Sequence, residues 1–192
     1  MTSLALIASF IVLAILLIGG LAWPKILNSS LPMKAKNEAR TQLMSLAGDL
    51  ELPSYVLASG ISDPLDLQFV RSHSPKLEKA FIKDRAQLAR LWLQENRYFL
   101  NRLMRLHRLI ARTNPSLSVG TELRVMAIGG ILRGVLVASE LLVLLAGPFR
   151  ARHVASLAMG IFDDLSATVG SLAGTLDAGQ KATIRADWAR MA

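Results

Sequence analysis

Between Pro75 and Thr113 the chain contains no internal glycine or proline, and that continuity constrains the fold more than any other feature. Leu77, Phe81, Leu88, Trp92, Phe99, Leu103, Leu106 and Ile110 recur close to a heptad spacing, the mark of an apolar stripe along one side of an α-helix. At 1.5 Å per residue such a helix is about 58 Å long. A chain of 192 residues can cover that stripe only with other long helices, so the expected class is all-α.

The opposite side of the same segment is basic. Residues 75–113 hold ten Lys or Arg against three acids, a net of +7 where the whole chain carries +8. Lys79, Lys83, Arg90, Arg97, Arg105, Arg108 and Arg112 fall roughly opposite the apolar stripe, because two residues correspond to about 200° of helical rotation. A solvated polar face is the plainest reading of such a row. The functional readings are an acidic protein surface or anionic lipid headgroups, the latter worth about 1 kcal/mol per basic residue near the membrane. Nucleic acid is not expected as a partner, since no recognition module accompanies the charge.

Leu4 to Trp23 is a run of 20 residues without a charge, about 30 Å as a helix and so the thickness of a hydrocarbon core. It lacks the charged leader and A-x-A-like site of a cleaved signal peptide, and the expectation is a retained single span. Trp23 suits the interface, and Lys25, Lys34, Lys36 and Arg40 follow it, with no Lys or Arg before. By the positive-inside tendency the amino terminus is outside and the body cytoplasmic, at the inner membrane if the source is bacterial. The organisation expected is an anchor (1–24), a connector of short helices (25–74) and a helical bundle (75–192).

Helix punctuation fills in the rest. Ser30 and Pro32 precede a helix running to about Gly48, while Asp63–Pro64 and Ser74–Pro75 each read as cap and first turn. Asn114 and Pro115 break the long helix, Ser116 or Ser118 can cap the next, and Gly147 with Pro148 closes it. A third main helix carries Val154, Leu157, Ile161, Phe162, Leu165, Val169, Leu172 and Leu176, and Asp177 with Gln180 has capping-box spacing for a short last helix ending near Trp188. The fold expected is therefore one amino-terminal transmembrane helix followed by three main helices and a small fourth.

The segment from Val125 to Gly147 carries 12 Leu, Ile or Val, but also Arg133 and Glu140. On an insertion scale the apolar gain and the two charges nearly cancel. Arg133 and Glu140 share a face within about 20°, two turns apart, too far for a mutual salt bridge. Gly130 and Gly134 lie on or beside that face as a G-x-x-x-G, which lets a neighbour approach closely. The segment reads first as the central helix of the bundle, contacting partners through Gly130, Arg133, Gly134 and Glu140, and second as another span.

No chemistry declares itself. The chain has no cysteine, which removes thiolate metal sites and cysteine nucleophiles. His73, His107 and His153 are far apart in sequence, and Asp163 and Asp164, being adjacent, diverge by about 100° on a helix. His107, beside Arg105 and Arg108, reads as a surface or packing residue. No phosphate loop, nucleophile elbow or H-E-x-x-H is present. No catalytic residue, cofactor or metal is expected. What the sequence favours is a non-catalytic accessory or scaffold subunit of an integral membrane protein complex, with a module reading anionic lipid as the alternative.

Overall fold

A computed structural model of the protein describes residues 32–48, 50, 60–115 and 117–191. The expected amino-terminal span, with Trp23 and Lys25, lies outside the described residues. Within them the chain is all-α, a helical bundle of six helices with no strand. These are α1 (Met33–Leu46), α2 (Pro64–His73), α3 (Pro75–Thr113), α4 (Val119–Ala146), α5 (Arg152–Gly174) and α6 (Ala178–Met191). The apolar helix that is described, α4, is mid-chain and partly buried rather than amino-terminal.

The local signals act where the sequence places them. The Asp63 carboxylate accepts from the Leu65 N–H at 3.0 Å, with Pro64 in the first turn of α2. The Thr121 N–H donates to Ser118 Oγ at 3.2 Å at the start of α4. Before α6, the Gln180 N–H donates to Asp177 Oδ1 at 2.7 Å while Gln180 Oε1 accepts from the Asp177 N–H at 3.0 Å, a reciprocal capping box. Gly147 closes α4 with φ +85°, a left-handed conformation that a side chain would strain.

By contact the described chain divides into two compact units, 60–97 with 133–159, and 32–50 with 98–132 and 160–191. Helices α3, α4 and α5 each contribute residues to both. In the first unit Trp92 and Leu93 of α3 are buried, as are Leu136 and Val143 of α4. Phe81 stacks on Phe149 with ring centroids 6.1 Å apart, and the Arg85 guanidinium lies over the Phe81 ring at 4.8 Å. Arg85 also donates to the Gly60 carbonyl at 2.9 Å and to Asp66 at 2.8 Å. Helix α2 buries none of its residues and is held mainly by such polar contacts, including Arg71 with Glu78 at 2.7 Å.

The second unit has the denser core. Leu43, Leu100, Leu103, Leu106, Ile110, Val125, Leu132, Phe162, Leu165 and Ile184 are almost completely buried, and Phe99 meets Phe162 edge to face at 5.5 Å. Helix α1 lies against α5 so closely that a Cβ on Gly170 would stand 2.1 Å from the Ala39 carbonyl oxygen. Nearly two turns towards the start of α5, Lys36 Nζ meets Asp164 at 2.6 Å and Arg40 meets Asp163 at 2.5 Å. The two adjacent acids, which diverge round α5, are each partly covered and each taken by a cation from α1. Helix α6 closes over α1: Lys181 Nζ donates to Gln42 Oε1 at 3.3 Å and Arg185 Nε to the Ser45 carbonyl at 3.1 Å.

Two glycines of α5 therefore predict opposite outcomes. Gly170→Ala forces α1 away and costs about 3 kcal/mol, an overpacking penalty against backbone that cannot rotate aside. Gly160→Ala, where nothing lies within 4 Å of the new Cβ, stabilises by up to about 1 kcal/mol through helix propensity. Chemical denaturation followed by circular dichroism reads both, and equal effects of the two substitutions refute the close contact.

Candidate interaction surface

The basic row of α3 separates into engaged and free members. Arg97 is engaged, in an ion pair with Glu140 of α4 within the first unit. Lys79, Lys83 and Arg90 of the first unit are exposed, as are Arg105, Arg108 and Arg112 of the second. None of these six has an ion pair among the described residues. Arg102, off the row, lies over the Trp188 ring at 4.9 Å and the Tyr98 ring at 5.7 Å. Its guanidinium is spent on α6 and its own helix.

The residues after the amino-terminal run also divide. Lys34 is exposed, whereas Lys36 and Arg40 are the two cations bonded to α5. Two residues named on interfacial grounds thus have an intramolecular task.

On α4 the smallness the sequence offers at Gly130 and Gly134 is used one residue earlier. Gly130 is exposed with nothing within 4 Å of the place of a Cβ, while a Cβ on Gly129 would come 2.8 Å from Met104 Sδ. Gly134 is half buried, Arg133 is exposed and engaged, and Glu140 holds Arg97. The Met104–Gly129 contact and the short link of residues 114–118 make α3 and α4 antiparallel neighbours in the second unit. A Gly-Gly pair was visible in the sequence, but which glycine faces the partner depends on a rotation of about 100° that apolar residues on every side of α4 do not specify.

That rotation also fixes the outer surface. Measured from Met104, Arg108, Arg112 and Arg105 stand about 40°, 80° and 100° round α3 in one sense; measured from Gly129, Met126, Val119 and Leu123 stand about 60°, 80° and 120° round α4 in the same sense. The opposite sense leads on both helices to buried residues, Leu100 and Leu103 on α3 and Val125 and Ile128 on α4. Because the helices are antiparallel, equal senses place both rows on one side of the seam. Three exposed arginines therefore lie beside Val119, Leu123 and Met126, which are 71%, 62% and 55% exposed. Residues 98–113 contain no acid, and residues 119–132 contain only Glu122.

Among the described residues no three His, Asp or Glu side chains gather as a metal would require. The first unit holds a half-open apolar cavity of about 20 Å³ against Trp92, Ala89, Ser139 and Val143, room for about one water molecule. The Trp92 Nε1–H has no acceptor among the described residues, and Ser139 donates to the Val135 carbonyl at 2.8 Å.

His107, read from sequence as a surface or packing residue, is a packing residue: 1% exposed, with neither ring nitrogen hydrogen-bonded among the described residues. Burial lowers its pKa below the usual imidazole value; the Glu122 carboxylate acts against that shift and Arg108 adds to it. Compared with protein-family models, with curated proteins and with solved structures, the chain matches none.

The depressed pKa gives a signed dependence on pH. The unfolded chain takes up a proton on His107 below about pH 6.5 while the folded one stays neutral, so this contribution is intact above that value and is lost as pH falls to the folded pKa. The loss is at most about 1.4 kcal/mol per pH unit from this group. His107→Leu should remove that portion of the slope, measured as the difference between wild-type and variant unfolding free energies from pH 7 downward. Parallel curves would show that His107 is protonated, or solvated, in the folded protein.

Proposed function

We propose that the protein is a non-catalytic accessory or scaffold subunit of an integral membrane protein complex. The observation that carries this reading is the mismatch in α4 between composition and cover. The helix is long and apolar enough to cross a membrane, yet only 44% of its most apolar stretch is buried. Val137, Leu144 and Leu145 in the first unit remain 45%, 53% and 64% exposed, and exposed apolar surface of this kind is where partner contacts form. Next to them Glu140 and Arg97 neutralise one another, and matched charge beside an apolar row suits a protein interface. The uncharged run at Leu4–Trp23 supports membrane placement independently.

Native mass spectrometry of a mild detergent extract tests this. The expected result is a defined heteromeric assembly that survives exchange of the lipid, and that Val137→Glu with Leu144→Glu dissociates while helical content by circular dichroism is unchanged. Extraction of monomer alone, or an assembly indifferent to both substitutions, refutes the reading.

A further inference from the structure

We infer that the second unit presents a binding face for an anionic bilayer, formed by Arg105, Arg108 and Arg112 of α3 beside Val119, Leu123 and Met126 of α4. The inference rests on the membrane placement proposed above but not on the partner complex. It joins two independent properties of one surface. The arginines lie within about 60° of rotation and about 10 Å of helix axis, are exposed, and have no ion pair among the described residues. Guanidinium groups match phosphate geometry, donating two hydrogen bonds to one headgroup.

Across the seam fixed by Met104 and Gly129, the apolar row has the width of a single helix face and stands on the same side. A cationic row flanking an apolar row is how a surface-lying helix pair divides itself between the phosphate layer and the start of the acyl chains. Charge complementarity selects the occupant. Glu122 is the single acid of α4 in this unit, so the face is cationic and repels a basic surface. An acidic protein would satisfy the arginines but leaves Val119, Leu123 and Met126 without the apolar counterpart that a bilayer supplies along the whole row.

The absence of cysteine from the sequence allows a single reporter to be placed at will. Full-length protein carrying Ala127→Cys, exposed on the outer side of α4, is labelled with an environment-sensitive fluorophore. It is then reconstituted into vesicles of phosphatidylcholine with or without phosphatidylglycerol. Local contact is read from the emission maximum and from quenching by an aqueous quencher, so an anchor elsewhere in the chain does not produce the signal.

The expected result is a blue-shifted label, several-fold less accessible to the aqueous quencher, in the anionic vesicles only. High salt and the triple variant Arg105→Gln, Arg108→Gln, Arg112→Gln should each reverse it. A triple Arg→Lys variant should retain part of the effect. Circular dichroism of the variants checks that the fold is kept, and a second label at Ala186→Cys on α6 should stay aqueous throughout.

A label equally accessible in both vesicles overturns the inference. So does anionic-lipid dependence that persists in the Arg→Gln variant, or protection that appears only when a co-purifying acidic protein is present. No lipid contact in the protein without the arginine substitutions, its assembly being intact, sinks this inference alone. Monomer alone from the protein without the α4 glutamate substitutions, lipid contact being intact, sinks the partner reading alone.

Discussion

The second unit depends on how closely α1 can lie against α5. At Gly170 the missing side chain lets the Ala39 carbonyl come within a distance that no Cβ would tolerate. The closeness in turn brings Lys36 and Arg40 within bonding distance of Asp164 and Asp163. Partly covered ion pairs of this kind contribute modestly on their own. Here their geometry matters more than their energy, because adjacent acids that diverge round α5 are each met by one of two cations a turn apart on α1. With α1 placed, α6 has a surface to close over, and the apolar residues of α3, α4 and α5 between them are sealed.

Much of this was legible beforehand. The long helix, its ends at Pro75 and Asn114, the stop at Gly147 and the capping box at Asp177 are local events, decided by backbone chemistry within a few residues. They appear where the sequence places them. What could not be read was pairing between segments far apart in the chain. Lys36 and Arg40 look like interfacial cations until the acids 128 and 123 residues away are seen to face them. Gly170 looks like any helical glycine until Ala39 is set beside it. On α4, apolar residues on almost every side leave the rotation undefined, so Gly129 rather than Gly130 as the contact emerged only with the fold.

The free members of the basic row follow the same logic. A row of cations on one helix predicts a charged face but not which charges are already answered within the molecule. Arg97 is answered by Glu140 and Arg102 by two aromatic rings, whereas Arg105, Arg108 and Arg112 are exposed and have no ion pair among the described residues. Within the second unit, the charge left unpaired on the row is that of these three arginines. Since α4 is the most apolar element described and lies next to it, the same seam organises both the packing and the outward chemistry of the second unit.

The two ion pairs and the Gly170 contact also have a mechanical meaning. Lys36 and Arg40 are bonded to neighbouring positions on α5, and the Ala39 carbonyl sits against Gly170. A pull along α1, applied at Pro32, is resisted by all three at once, in shear. A one-turn slip would take Arg40 to a site that Lys36 had held and leave the other carboxylate unanswered. Displacement of α1 along its own axis is therefore opposed at three points of α5 together, so the two helices are keyed in register rather than merely in contact.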